Sequence, residues 1–206
     1  SRLQEDKEAL KLAIEKSLFL ISLAIFPIAV GIISYSPYLM QFIPKYQKWE
    51  PAVISIMFFS LGTVLSSIST PLTNFLNAIG KVKITLYFMV FWTIAIWFLT
   101  IPLIHMYGYN GVAIASFLVS LTSVGVFYVA KKHVKFKIFG SIYKQFIAAV
   151  VMYIFALATS SMISSLVIML LFSVISLVVY FAVIMLIARK EFLKTARFVL
   201  SSVRKH

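Results

Sequence analysis

The stretch QFIAAVVMYIFALATSSMISSLVIMLLFSVISLVVYFAVIMLIA (residues 145–188) contains 44 residues and no charged side chain. A transmembrane helix needs about 20 predominantly apolar residues, so this stretch is long enough for two helices. Near its centre, residues 159–165 read TSSMISS, a cluster of hydroxyl-bearing side chains that is typical of a turn. The stretch therefore predicts a hairpin of two membrane-spanning helices.

Apolar runs of similar length fill most of the remaining chain. The 206-residue sequence is 62% hydrophobic and 12% charged, and its mean hydropathy is +1.01. Soluble domains are about half apolar and about a quarter charged, so this composition indicates a protein that lies in lipid. We predict an all-α, polytopic transmembrane helical bundle with six spans, at about 17–36, 51–79, 84–104, 111–130, 145–160 and 166–188.

The 19 Lys and Arg residues all lie in the gaps outside these spans, and basic gaps alternate with charge-poor ones. Gaps 1–16, 80–83, 131–144 and 189–206 hold four, two, five and six of them, seventeen in all. On the opposite side, gap 37–50 holds two, and gaps 105–110 and 159–165 hold none. Because Lys and Arg collect on the cytoplasmic side of membrane proteins, we expect both chain termini to be cytoplasmic.

The net charge of +13 is carried by short clusters beside apolar runs, which favours anionic inner-leaflet lipids as partners over nucleic acid. Residues 1–16 predict a cytoplasmic helix that precedes the first span. Phe and Ile side chains alternate with lysines in 131–144, so we expect that segment to lie in the inner interface. The tail 189–206 predicts an amphipathic helix on the cytoplasmic leaflet.

Several classes of catalytic site have no candidates in this sequence. The chain has no Cys, no paired carboxylates, no HExxH and no Gly-rich phosphate loop, so we expect neither an enzyme nor a cofactor or metal site. The predicted spans contain no Asp, Glu, Lys, Arg or His, although such residues usually mark ion pathways inside membranes. An enzyme at the outer face would have only Glu50 and His105 as titratable groups there.

The second span carries the main candidate site, a row of polar side chains at three- and four-residue spacing around Pro71. This polar stripe consists of Thr63, Ser66, Ser67, Thr70, Thr73, Asn74 and Asn77. Such spacing places its members along one helical face, and amides are costly against lipid. Two interpretations stay open at this point: the stripe packs against another helix, or it lines a water-accessible cavity for a polar substrate. In the fourth span, Ser116, Ser120 and Ser123 are interpreted as packing residues. Gly108 and Gly111 are expected to supply positive φ angles for the preceding turn.

The stretches PLTNFLNAIGKVKITL (71–86) and YGYNGVAIAS (107–116) resemble the carboxy-terminal half of oligosaccharide flippases, the polysaccharide-export branch of the multidrug/oligosaccharidyl-lipid/polysaccharide flippase superfamily. Gly80 and Lys81 match a Gly-Lys turn that ends a helix in that family. Gly108, Gly111 and Ala113 match a Gly-x-x-Gly-x-Ala turn that opens another. The resemblance runs over about residues 1–145, with 145–188 similar only as a terminal hairpin.

The resemblance implies a plasma-membrane transporter that flips lipid-linked oligosaccharide by alternating access for cell-surface polysaccharide biosynthesis. Residues 1–144 would form part of its second bundle, with an N-terminal bundle of the same protein preceding Ser1. The stripe would line the substrate pathway through Thr63, Ser66, Ser67, Thr70, Asn74 and Asn77, and Lys81 and Lys83 would attract the pyrophosphate. Many family members carry charged residues in their cavity, and here we expect those in the preceding bundle. Alternatives are a multidrug exporter of the same superfamily, an integral-membrane enzyme of glycan assembly and a purely structural membrane subunit.

Overall fold

The computed structural model describes residues 7–134 and 136–192, and these residues form helices joined by short turns, with no β-strand among them. The helices are α1 (Lys7–Phe42), a 3-10 helix (Pro44–Ala52), α2 (Val53–Ala78), α3 (Val82–Tyr107), α4 (Asn110–Leu121), α5 (Val124–His133), α6 (Ile138–Ala158), a short 3-10 turn (Ser160–Met162) and α7 (Leu166–Ile187). Six helical segments are long and apolar enough to cross a membrane, as predicted, with α4 and α5 together forming one of them.

Helix α1 is the central element of the bundle. It packs against α2 on one side and against the α6–α7 hairpin on the other. Helix α2 in turn packs on α4 and α5, while α3 packs mainly on α4 and contacts α2 only lightly. The main apolar core therefore joins α1, α2, α5, α6 and α7, and α3 is left largely exposed, with Thr85 its one buried residue.

The first span is longer than predicted, because the expected separate helix before it is continuous with it. Helix α1 has 36 residues, which corresponds to about 54 Å against a hydrocarbon thickness of about 30 Å. Leu10 and Ile14 near its start are 8% and 4% exposed and belong to the core. Burial of these side chains extends the helix well beyond the predicted span.

The fourth span is broken, which the sequence prediction missed. Helix α4 ends at Leu121 and α5 begins at Val124. Across the break, backbone N–H groups bond three residues back instead of four, as from Ser123 to Ser120 at 3.1 Å and from Gly125 to Thr122 at 2.9 Å. The hydroxyl of Thr122 also donates to the Val119 carbonyl at 2.6 Å. Hydroxyl side chains that bond the nearby backbone compete with regular helix bonding and favour such irregularities.

Most of the described part of segment 131–144, which was predicted to lie in the inner interface, belongs to two helices, and its position relative to the membrane stays a prediction. Helix α5 continues to His133 and α6 begins at Ile138, so only a short connector separates two spans. Val134 and Phe136 of the connector are 6% and 5% exposed, because they pack into the core. The connector, the turn at 79–81 and residues 188–192 lie at the same end of the alternating helices, which we call the basic end. The predicted amphipathic tail falls beyond Phe192 and lies mostly outside the described residues.

Glycines at two turns adopt positive φ, while a third has a different role. Gly80 has φ 77° and follows α2 in a Schellman motif. The N–H of Gly80 donates to the Asn77 carbonyl at 3.0 Å, and the N–H of Lys81 donates to the Leu76 carbonyl at 2.8 Å. Gly108 has φ 58°, as expected. Gly111 does not have a positive φ, so that expectation is wrong. Instead, a Cβ atom there would lie 2.2 Å from the Leu103 carbonyl oxygen, so Gly111 permits close contact between α3 and α4.

Candidate functional site

A cavity of about 610 Å³ lies between α2, α3 and the broken fourth span, and we call it the hydroxyl groove. Hydroxyl groups, one amide and one indole supply its polar lining, and none of the described residues that line it carries a formal charge. The described residues that line it are Ser66, Ser69, Thr70, Thr73, Asn74, Met89, Trp92, Thr93, Ile96, Ser116, Val119, Ser120 and Ser123. The groove arises because α3 leans on α4 and leaves the polar face of α2 uncovered.

The polar stripe of α2 forms one wall of this groove, although not all of its members reach it. Ser66, Thr70 and Asn74 line the groove, together with Thr73. The other three substrate-pathway candidates, Thr63, Ser67 and Asn77, do not line it. The central part of the stripe therefore borders a cavity, and its role in substrate passage stays a prediction.

Most hydroxyl groups in the groove are donors to their own helices. Five of them bond a carbonyl oxygen three or four residues earlier, with distances between 2.6 and 2.9 Å. These five are Ser69, Thr70, Thr73, Thr93 and Ser120. Because each hydroxyl proton is already used, the oxygen lone pairs remain as acceptors toward the groove. The groove therefore suits a ligand that brings its own hydrogen-bond donors.

Two side chains add donors to this acceptor-rich lining. The amide of Asn74 offers two N–H groups and is exposed. Ser123, at the break between α4 and α5, is 3% exposed and its Oγ has no hydrogen-bond partner. A buried hydroxyl without a partner is costly, so a polar ligand that reached Ser123 would gain from pairing with it.

The fourth span and α3 supply walls that the sequence did not identify as functional. Ser116, Ser120 and Ser123 were interpreted as packing residues, yet all three line the groove. Trp92 and Thr93 on α3 line it too, although that span is almost uniformly apolar. Serine repeats at three- and four-residue spacing in the fourth span match those of the α2 stripe. That shared pattern was the one available signal.

A second, smaller cavity lies on the other flank of the stripe, between α2 and α1. Its volume is about 300 Å³, and Ser17 on α1 lies in its otherwise mostly apolar lining. Thr70 and Asn74 line both cavities. Thr70 and Asn74 therefore border a cavity on each side of α2, unlike side chains that are enclosed in a helix–helix contact.

The two candidate headgroup lysines lie at the basic end, next to the groove. Lys81 and Lys83 are both exposed; Lys81 lies in the turn before α3, and Lys83 lies in the first turn of α3. Asn74 lies four residues before the end of α2 at Ala78, which corresponds to about 6 Å of helix, and Lys81 follows in the turn.

The fold and the groove define a multi-pass helical membrane protein with a polar, uncharged cavity among its spans. No family model, curated protein or solved structure matches this chain.

Proposed function

We propose that this chain forms part of a transporter that flips lipid-linked oligosaccharide across the plasma membrane by alternating access. In this proposal, the sugar headgroup passes along the hydroxyl groove while the lipid part remains in the bilayer. The observation that carries the proposal is a 610 Å³ groove of hydroxyl and amide groups among apolar spans. The resemblance of 71–86 and 107–116 to oligosaccharide flippases favours the same function.

The hydrogen-bonding pattern of the groove supports a polyhydroxyl ligand. A sugar presents many hydroxyl groups, each of which can donate to the acceptor oxygens of Thr70, Thr73 or Ser120 and can accept from the Asn74 amide. The described lining of the groove contains no carboxylate, so it has no formal negative charge to pair with a cationic drug. This difference favours a sugar over a multidrug substrate.

The position of the lysines supports a division of the substrate between two environments. A pyrophosphate would be expensive to bury in an uncharged groove, whereas exposed Lys81 and Lys83 can pair with it at the basic end. We therefore assign the phosphate groups to the lysines and the sugar to the groove. Anionic lipids of the inner leaflet would occupy the other basic residues at that end.

Transbilayer movement of a defined probe tests this proposal. The full chain, within its natural protein, is reconstituted into vesicles that contain a fluorescent short-chain prenyl diphosphate bearing a neutral disaccharide. Movement is followed by quenching with an impermeant reductant. We expect Asn74→Leu to slow movement roughly tenfold, because it removes the donor amide from the groove. Phe98→Leu on α3, at a side chain that is 77% exposed and does not line the groove, is the matched control.

Two results separate the parts of the proposal. Lys81→Ala combined with Lys83→Ala should slow the probe, and unchanged movement would reduce these lysines to determinants of topology. If the wild-type protein moves the probe no faster than protein-free vesicles do, the flippase proposal is wrong.

A further inference from the structure

We infer that Trp92 is a stacking platform for a neutral pyranose ring in the hydroxyl groove. This inference rests on the proposed function and identifies the part of the substrate that the groove would recognise. It depends on three features of the described residues: the depth of Trp92 in the bundle, the way its ring is held, and the chemistry of the surrounding groove.

Trp92 lies at a depth where membrane anchoring does not account for it. It is ten residues from the start of α3, or about 15 Å along a helix of about 39 Å. Tryptophans that anchor proteins in membranes lie at the two interfaces, where their N–H can reach water or headgroups. The indole N–H of Trp92 instead donates to the Thr122 hydroxyl at 3.0 Å. Trp92 is thus satisfied within the protein and lies near the middle of its span.

The indole ring is held in place from two sides. Thr122, which accepts its N–H, is itself fixed by donating to the Val119 carbonyl at the break of the fourth span. Phe88, one turn earlier on α3, contacts the ring with centroids 5.6 Å apart and planes at 34°. Gly125 leaves room for Phe88, because a Cβ atom there would lie 3.1 Å from its ring. A ring positioned in this way loses little conformational entropy when a ligand stacks on it.

The groove around Trp92 matches the two kinds of surface on a pyranose. One face of such a ring presents C–H groups, which the negative face of an aromatic ring attracts. Its rim presents hydroxyl groups, which can donate hydrogen bonds to the acceptor oxygens of α2 and α4. Because no cationic side chain is among the described residues that line the groove, a sugar acid would leave its carboxylate without a charged partner there. The chemistry therefore favours a neutral sugar.

Equilibrium binding of two labelled probes to the full chain in lipid nanodiscs tests this inference. One probe is a short-chain prenyl diphosphate that bears a neutral disaccharide, and the other is the same prenyl diphosphate without sugar. We expect the wild-type protein to prefer the sugar-bearing probe. Trp92→Leu should weaken its binding roughly tenfold and leave the bare probe unaffected, and Trp92→Phe should cost less because a ring remains.

Matched variants distinguish stacking from simple packing. Trp97→Leu removes a tryptophan that is 68% exposed and does not line the groove, so it should change the binding of neither probe. Thr122→Val removes the acceptor of the Trp92 indole N–H and keeps the ring. A roughly threefold loss of affinity for the sugar-bearing probe alone would show that this hydrogen bond positions the ring. If Trp92→Leu weakens both probes equally, or neither, Trp92 only packs and the inference is wrong. If the wild-type protein binds both probes equally or not at all, the proposed function itself fails.

Discussion

Two polar regions of this membrane protein contain similar residues, but their hydroxyl groups find hydrogen-bond partners in different places. Between α1 and α7, the Tyr35 hydroxyl lies 2.6 Å from the Ser176 hydroxyl and donates to the Phe172 carbonyl at 3.0 Å. Ser176 is fully buried there. Along α2, by contrast, Thr70 and Asn74 are exposed to cavities on both flanks. The first region, which we call the closed seam, joins α1 and α7, whereas the hydroxyl groove is a space left between α2, α3 and the fourth span.

The difference shows why polar residues in a membrane span do not reveal their role by type alone. In hydrocarbon, a hydroxyl group must find a partner, and a neighbouring helix or the backbone of its own helix can supply it. In the closed seam the partner comes mainly from another helix, as it does for Tyr180, whose hydroxyl donates to the Leu23 carbonyl at 3.1 Å. In the groove the protons go to the same helix, and the oxygen atoms remain available.

The groove depends on α3 remaining seated on α4, so Gly111→Ala should have the largest effect. The added methyl group would meet the Leu103 carbonyl at 2.2 Å, and backbone atoms cannot move aside cheaply. We expect the free energy of unfolding, measured by detergent titration in mixed micelles, to fall by about 3 kcal/mol. Gly31→Ala is the control, because nothing lies within 4 Å of that position and stability should not fall. Equal stability of the two variants would contradict the close α3–α4 contact.

The closed seam should lose stability when its hydrogen bond is removed. Tyr35→Phe deletes a buried hydroxyl and leaves Ser176 without its tyrosine partner, so we expect a loss of about 1 kcal/mol in the same titration. Tyr153→Phe on α6, at a residue that is 39% exposed, should leave stability unchanged. If both variants lose the same amount of stability, the hydrogen bond of the closed seam contributes no more than an exposed hydroxyl group does.

An ion pair between Lys144 on α6 and Glu191 just after α7 links the two ends of the α6–α7 hairpin at the basic end. It makes the stability of the protein depend on pH. The hydrogen bond from Lys144 holds the pKa of the Glu191 carboxyl below its ordinary value of 4.5. A lowered folded-state pKa means that the stabilisation is complete above about pH 4.5 and is lost as the pH falls through the folded-state value. Because the Glu191 side chain is 50% exposed, we expect less than about 1 kcal/mol.

Melting temperatures of Glu191→Gln and of the wild-type protein, measured from pH 7 downward, check this expectation. The variant should be slightly less stable at neutral pH, and the difference should vanish in acid. Glu8→Gln, which removes a surface carboxylate 3.5 Å from Lys11, serves as the control and should show almost no difference at any pH. A difference that grew as the pH fell would contradict the assigned direction of the pKa.

The smallest effect on stability is expected in the groove itself. Thr70→Val keeps the shape of the side chain and removes a hydroxyl that faces open space, so the free energy of unfolding should change by no more than about 0.5 kcal/mol. Movement of the disaccharide-bearing probe should nevertheless slow several-fold, because an acceptor is lost from the proposed path. A large loss of stability with normal transport would instead mark Thr70 as a packing residue.

Much of the fold follows from the sequence because the bilayer restricts the options. Runs of about 20 apolar residues must be helices in lipid, so the spans were predicted well, with the sixth predicted at 166–188 and observed at Leu166–Ile187. Tertiary contacts caused the errors. Core burial of Leu10 and Ile14 extends α1, and Val134 and Phe136 of the connector between α5 and α6 pack into the core as well. Neither effect is visible in hydropathy.

The candidate site was only partly predictable for a similar reason. Periodicity on one helix identified the α2 wall, since Thr70 and Asn74 repeat at helical spacing. The opposite walls depend on how α3 tilts against α4, which Gly111 sets through contact with the backbone of another helix. Trp92 gave no signal in its apolar span, because its role follows from its distance to Thr122 in space.

Thiol accessibility tests the contrast between groove and seam most directly, and the absence of native Cys makes it clean. Three single-cysteine variants are compared. Thr70→Cys places the thiol in the groove and Ser176→Cys places it in the closed seam. Leu186→Cys places it on the apolar surface, at a side chain that is 83% exposed. Each variant is treated, in membranes and within the natural protein, with a small charged thiol reagent from both sides. We predict that Thr70→Cys reacts while Ser176→Cys and Leu186→Cys do not, because only the groove admits water. An unreactive Thr70→Cys, or equal reaction at Thr70→Cys and Ser176→Cys, would contradict the account.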